Sequence, residues 1–271
     1  MQIMTMNEDA AQAREILTQL RAEIDEIDDG LLALLAQRIA VTGRVKDNKI
    51  VSAQRWPLPI RPAREAQILR RLLAKAEGTG ISPEFLVRLW RGILSDSSNR
   101  QQKMTLHVGR HLNANTGFRL RLRDHFGPVE VEEWRDDAQA LMQINADPRH
   151  ICVVETEQNW VDAFVEGIAG QAKVIAALPV LAEDVVPKLL VFGVAPTEAS
   201  SDDETLVITN GKLPRDFAPE PLWQSKVGHY RLSALPGFLD EHESPLVSLQ
   251  RQNAALGLKV AGRYAAAIRI G

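Results

Sequence analysis

The sequence predicts two domains of different class: an all-helical domain over residues 9–103, followed by an α/β domain over residues 105–271. Three observations predict this. Leu17, Leu20, Ile24, Ile27, Leu31, Leu34, Val41 and Val45 recur at helical spacing, with one position passed over, which is one face of a long helix close to a heptad seam. Between Ser52 and Gln101 a loop with three prolines leads into two shorter amphipathic helices. From Thr105 onward short apolar runs alternate with helical patterns, the signature of an α/β domain.

The long helix is predicted to begin near Asp9 or Ala10 and to stop near Lys49 or Ile50. The position passed over in its seam holds Arg38. Lys49 lies eleven residues further on, which at about 100° per residue brings it within roughly 20° of Arg38 on the helix surface. Two cations on a face built for burial need an anion, because an unpaired buried charge costs several kcal/mol. An acidic side chain on a neighbouring helix would serve, and so would an anionic ligand inside a helical bundle.

A second helix follows Pro62, with Ile68, Leu69, Leu72 and Leu73 as its apolar face and Gly78 and Gly80 closing it. Ser82-Pro83-Glu84 opens a third, with serine as N-cap and proline in the first turn. Its predicted stripe of Leu86, Leu89, Trp90, Ile93 and Leu94 runs on into Ser97 and Gln101, which are stacked four residues apart. Beyond Thr105, strands are predicted at Leu106–Val108, Val129–Val131, Ile151–Val154, Val174–Leu178, Leu189–Val194 and Thr205–Thr209, and with interruptions over Gly257–Ile270. Helices are predicted around Arg119–Phe126 and Asp137–Ile144.

Composition excludes some classes of function. With 45% hydrophobic and 25% charged residues the chain is an ordinary globular sequence, and a net charge of −3 offers no footprint for nucleic acid. A single cysteine, Cys152, cannot form an internal disulfide and fits a reducing compartment. The opening residues lack the apolar core of a signal peptide, and no run approaches the roughly 18 apolar residues of a membrane span. The expectation is a soluble, cytoplasmic protein with no nucleic-acid or membrane partner. His107 and His111 straddle a predicted strand end and do not converge on a metal. Asp202-Asp203-Glu204 reads as a turn before a strand.

Taken together, Leu20-Arg21, the run Leu31 to Arg38, Lys49, Arg64-Glu65, Ser97 and Gln101 resemble the all-helical (type II) chorismate mutase family over roughly residues 14–103. The resemblance implies an N-terminal all-α helical bundle in which two chains intertwine as a homodimer with shared active sites. It implies chorismate as substrate, rearranged to prephenate within aromatic amino-acid biosynthesis. By the same resemblance Arg38, together with Arg21 from the partner chain, binds the substrate carboxylates. Lys49 and Gln101 flank the breaking ether bond as catalytic groups, Glu65 meets the substrate hydroxyl, and Ser97 lies near a carboxylate. The family usually has an aspartate where this chain has Arg61, which is expected to contribute through its main chain. Such a unimolecular rearrangement needs no nucleophile, metal or cofactor; an enzyme supplies conformational restriction and charge stabilisation.

The second half resembles the catalytic domain of prephenate dehydratase, which implies an α/β domain of periplasmic-binding type. Leu106-His107-Val108-Gly109, Phe126-Gly127-Pro128-Val129-Glu130, Val153 to Glu157 and Leu189 to Gly193 carry the likeness. The family's functional residues have no counterpart: Arg110 to Gly117, Glu157-Gln158-Asn159 and Pro187-Lys188-Leu189 stand where its binding loops would be. The expectation is a dehydratase-like fold that has lost dehydration. Two alternatives compete with the mutase: an isochorismate pyruvate-lyase on the same helical fold, and a non-catalytic small-molecule-binding regulator dimerised by its helices.

Overall fold

The computed structural model describes the backbone of residues 2–51, 58–182 and 184–269, and the side chains of these residues apart from 2–10 and 45–51. The chain divides into two compact units, Met1–Arg55 and Trp56–Gly271.

The first unit is helix α1 (Gln2–Val51). It starts ahead of the expected Asp9, since Gln2 to Glu8 contains neither proline nor glycine to delay it. At 1.5 Å per residue it runs for about 75 Å. A lone helix cannot bury its own stripe, and nothing within the unit covers the seam: Leu17, Ile24, Leu31 and Leu34 are 53, 56, 54 and 62% exposed.

The second unit opens with α2 (Pro62–Ala76) and α3 (Pro83–Gln101). Each has proline in its first turn, where the missing N–H costs nothing. Ser82 caps α3 as its sequence predicts, its hydroxyl accepting from the Phe85 amide at 3.2 Å. Then follow β1 (Thr105–Gly109), α4 (Arg110–Ala114), α5 (Thr116–Phe126), β2 (Glu130–Trp134), α6 (Asp137–Ala146), β3 (Ile151–Glu155), α7 (Trp160–Val165), β4 (Lys173–Leu178) and β5 (Leu189–Gly193). The unit closes with β6 (Asp203–Thr209), β7 (Trp223–Val227), β8 (Tyr230–Pro236), α8 (Leu246–Gln252) and β9 (Lys259–Ala265). The expected boundary between 103 and 105 falls inside this unit, where α3 leads through buried Met104 straight into β1.

The nine strands among the described residues form one sheet in the order β2-β1-β3-β5-β4-β9-β6-β8-β7. The β2-β1-β3 edge is parallel, β4 pairs with β9 in parallel, and the remaining ladders are antiparallel. The pleat sends alternate residues to opposite cores. Ile151, Val153, Leu189 and Val191 face the layer that holds Leu122 and Phe126 of α5. Cys152, Val154, Leu190 and Phe192 face Leu141 and Ile144 of α6 and Trp160 and Phe164 of α7. Helix α2 is tied down by Arg70, whose guanidinium donates to the main-chain oxygens of Ser200 (3.1 Å), Asp202 (2.7 Å) and Ala266 (2.8 Å).

Two features depart from expectation. Asp203 and Glu204 belong to β6 and are buried rather than forming a turn. Their polar atoms are satisfied internally: Glu204 accepts from Tyr264 Oη at 3.0 Å and Trp223 Nε1 at 3.3 Å, and Asp203 accepts from the Ser200 amide at 2.8 Å. The hairpin β7-β8, joined at Gly228-His229 with Gly228 at φ 58°, was not anticipated.

Candidate active site

Three candidate residues lie in the first unit on α1. Arg21 is exposed and Arg38 is half-buried. Thr42, one turn beyond Arg38, bonds its hydroxyl to the Ile39 carbonyl at 2.9 Å. Lys49 belongs to α1 by its backbone, and its side chain lies outside the described residues.

The other four lie in the second unit, where α2 and α3 position them. Arg61 stands at the N-cap of α2 with its carbonyl accepting from the Glu65 amide at 3.0 Å, so its main chain opens the helix. Its exposed guanidinium pairs with Glu198. Glu65, one turn into α2, is ion-paired with Arg91 of α3, the two side chains being 13 and 7% exposed.

Ser97 is buried, and its hydroxyl donates to the Ile93 carbonyl at 2.8 Å. Gln101, half-buried one turn later, donates through Nε2 to the Ser97 carbonyl at 3.2 Å. Within this unit, then, Gln101 meets Ser97 and Glu65 meets Arg91.

The buried face of α3 is rotated from the one its apolar residues predict. Leu86, Val87, Arg91, Leu94, Ser95, Ser97 and Ser98 are buried, while Leu89 is 43% exposed. The shift has a physical source. Arg91 sits four residues after Val87 and three before Leu94, on their face, and charge-assisted hydrogen bonds hold it there. Its Nε and Nη2 donate to the His125 carbonyl at 3.2 and 2.8 Å. Burial and the Arg91 charge together hold the His125 imidazole well below the ordinary histidine range. Arg91 is the functional candidate that sequence reasoning passed over. Its signal was a charge in register with Val87 and Leu94.

Elsewhere in the α/β unit, a chain of polar groups runs through the sheet. Trp134 Nε1 donates to His107 Nδ1 at 2.9 Å, and His107 Nε2 lies 2.8 Å from His150 Nδ1. Because the indole can only donate, it fixes the proton of neutral His107 on Nε2, facing His150. His111 faces Asp137 at 3.6 Å and Glu155 at 3.4 Å. Among the described residues no group of histidine, cysteine, aspartate and glutamate side chains is arranged to hold a metal ion. No helix among them is long and apolar enough to cross a membrane.

Comparison with known proteins bears on the helical N-terminal part of the chain. Residues 20–102 match the chorismate mutase type II family. The matched stretch is less than a third of the chain. It takes in Arg21, Arg38, Lys49, Arg61, Glu65, Ser97 and Gln101. The T-protein of Enterobacter agglomerans is 37% identical over 82 residues, which is 30% of this chain and 21% of that protein. The chain thus spans about a fifth of the length of this curated relative. Among solved structures, the prephenate dehydratase of Streptococcus mutans matches at a TM-score of 0.37 and 13% identity, over 62% of this chain and all of that one.

Proposed function

We propose that the chain is a chorismate mutase, rearranging chorismate to prephenate as an intertwined homodimer in the cytoplasm. The observation that supports this reading is that residues 20–102 match the chorismate mutase type II family and that seven chemically suited residues lie at separated positions within that stretch. Arg38 and the partner chain's Arg21 grip the two carboxylates with planar forked donors and hold the flexible enolpyruvyl arm over the ring. Lys49 and Gln101 donate to the ether oxygen, which gains negative charge as the carbon–oxygen bond breaks. One such donor in a dry site is worth about 3–4 kcal/mol. The Gln101 amide has two hydrogens, so the bond to the Ser97 carbonyl leaves one for the ether oxygen. Glu65 accepts from the ring hydroxyl, Ser97 lies beside a carboxylate, and the main chain of Arg61 sets the start of α2.

The exposed seam of α1 supports the dimer, because a stripe of this length needs a second surface. The α/β half is proposed to be non-catalytic. Pro187, where the dehydratase family has a threonine, offers no side-chain proton donor, and its carbonyl is occupied by the Thr156 hydroxyl at 2.6 Å.

The test is product identification with purified protein. Chorismate should disappear in proportion to enzyme, prephenate should accumulate, and phenylpyruvate should form no faster than in buffer at neutral pH. Failure to consume chorismate, or release of pyruvate from isochorismate, would overturn the reading.

A further inference from the structure

Arg91 is a buried cation with two kinds of partner. Two of its N–H groups converge on one main-chain oxygen, that of His125, and a third group, Nη1, reaches Glu65 Oε2. His125 lies in the last turn of α5, where carbonyls have no partner within the helix and the dipole favours a cation. The helix ends at once in Gly127, at φ 68°. A side chain there would come within 2.8 Å of the Ser95 hydroxyl, so α3 and α5 approach closely at this point. Arg91 is therefore fixed by the α/β layer independently of Glu65, and its remaining donors are already aimed when α2 packs.

A carboxylate has two oxygens. Oε2 of Glu65 is taken by Arg91, and among the described residues Oε1 has no hydrogen-bond partner. Glu65 alone would have several rotamers open to it; with one oxygen clamped, the other points one way. The alternative is an ion pair that merely joins α2 to α3, and such a pair would act on the fold irrespective of what Oε1 does.

We propose that Arg91 is a positioning residue for the rearrangement, clamping one oxygen of Glu65 so that the other is presented to the ring hydroxyl of the substrate. The role rests on the mutase reading above. It also makes the α5 terminus of the α/β half part of the support for a group in the mutase domain.

The experiment is a double-mutant cycle in the full-length protein, with chorismate loss as the readout. Arg91→Met should lower kcat/KM by about tenfold or more, mostly by raising KM, since a misplaced acceptor weakens ground-state and transition-state binding alike. Glu65→Gln should do the same, and adding Arg91→Met to Glu65→Gln should change kcat/KM by less than about twofold. Arg91→Lys keeps a cation near Glu65 without the fork on His125, and should recover part of the loss. Circular dichroism and thermal melting accompany each variant. If Arg91→Met does not fold, Arg91→Lys takes its place in the cycle.

Two results would overturn the proposal: a KM within twofold of wild type, or equal losses in the Glu65 and Glu65→Gln backgrounds. A wild-type protein inert toward chorismate would remove the mutase reading and this role together. An active wild type with additive losses would remove this role alone.

Discussion

At the scale of single residues, the proposed chemistry turns on charge placed where the ether bond breaks. Lys49→Ala should lower kcat at least a hundredfold with little change in the melting curve, because a lysine acting on transition-state charge contributes to rate rather than to fold. Lys49→Arg should recover only part of that, since a planar fork does not replace a point charge; activity within threefold of wild type in Lys49→Ala would refute the mechanism. A second residue offers a test of stability. Asp137 is fully buried at the start of α6, and among the described residues neither of its carboxylate oxygens has a hydrogen-bond partner. Burial, then the nearby charges of Glu155 and Asp136, push its pKa up from 3.8 to about 7. The folded state thus keeps a proton that the unfolded state releases, and stability is lost as pH rises from about 4 to about 7. Asp137→Asn carries no such penalty, so urea melts should show it gaining on wild type by up to a few kcal/mol between pH 4.5 and 8. His107, held low by burial and His150, and His125 work in the opposite sense, losing stability as pH falls below about 6.5, but they are common to both proteins and cancel in the difference. A gap that stays constant with pH would show that Asp137 does not titrate in this window. The residue scale is also where the limits of reading a sequence have a nameable cause. Arg38 and Lys49 stood out because they break an apolar seam, whereas Arg91 is hidden by neighbours whose apolar pattern points to the adjacent face. Burial of a charge becomes visible only once its acceptor, a carbonyl 34 residues away, is known.

Elements were legible in proportion to how far periodicity alone decides them. Helices α2 and α3 follow from proline at the start and, for α3, the Ser82 cap; β1, β3, β4 and β5 follow from short β-branched and leucine runs that are buried on both faces. The hairpin β7-β8 escaped because Trp223–Val227 alternates buried and exposed positions over only five residues with three polar members, and the two-residue turn Gly228-His229 is a weak signal beside Asn-Gly. The start of β6 escaped because Asp203 and Glu204 look like a solvated turn, and only their internal donors make their burial tolerable. Helix α1 is the element whose pattern was plain and whose burial is unmet within its own unit. Leu31 and Leu34 keep about half their surface or more in solvent, and covering that remainder stabilises by roughly 1 kcal/mol per side chain. If the proposed dimer forms through this seam, Leu31→Glu combined with Ile24→Glu should make the protein a monomer in sedimentation velocity and abolish chorismate turnover, while the α/β unit keeps its near-ultraviolet circular dichroism. A dimer of unchanged affinity would mean that some other surface joins the chains.

At the scale of the whole molecule, the two arginines of the proposed site pose a problem that one chain cannot solve. Arg21 and Arg38 are both on α1 and seventeen residues apart, which is some 25 Å along the axis and about 100° away from a shared face. A substrate with the dimensions of chorismate cannot touch both on one helix. If both serve one site, they come from different chains, and each dimer holds two sites built reciprocally, as a two-fold axis demands. This makes complementation decisive. In an Arg21→Ala homodimer both sites lack the donated arginine, and in a Lys49→Ala homodimer both lack the lysine. In a mixed dimer the two defects fall in the same site: the chain carrying Lys49→Ala receives no arginine from its partner, while the other site has an intact lysine and an intact donated Arg21. Mixing the two inactive proteins under conditions of proven subunit exchange should restore activity to about a quarter of wild type, because half of the dimers are then mixed and each has one working site of two. If Arg21 instead served its own chain's site, each site of a mixed dimer would carry one defect, and mixtures would remain inactive however complete the exchange.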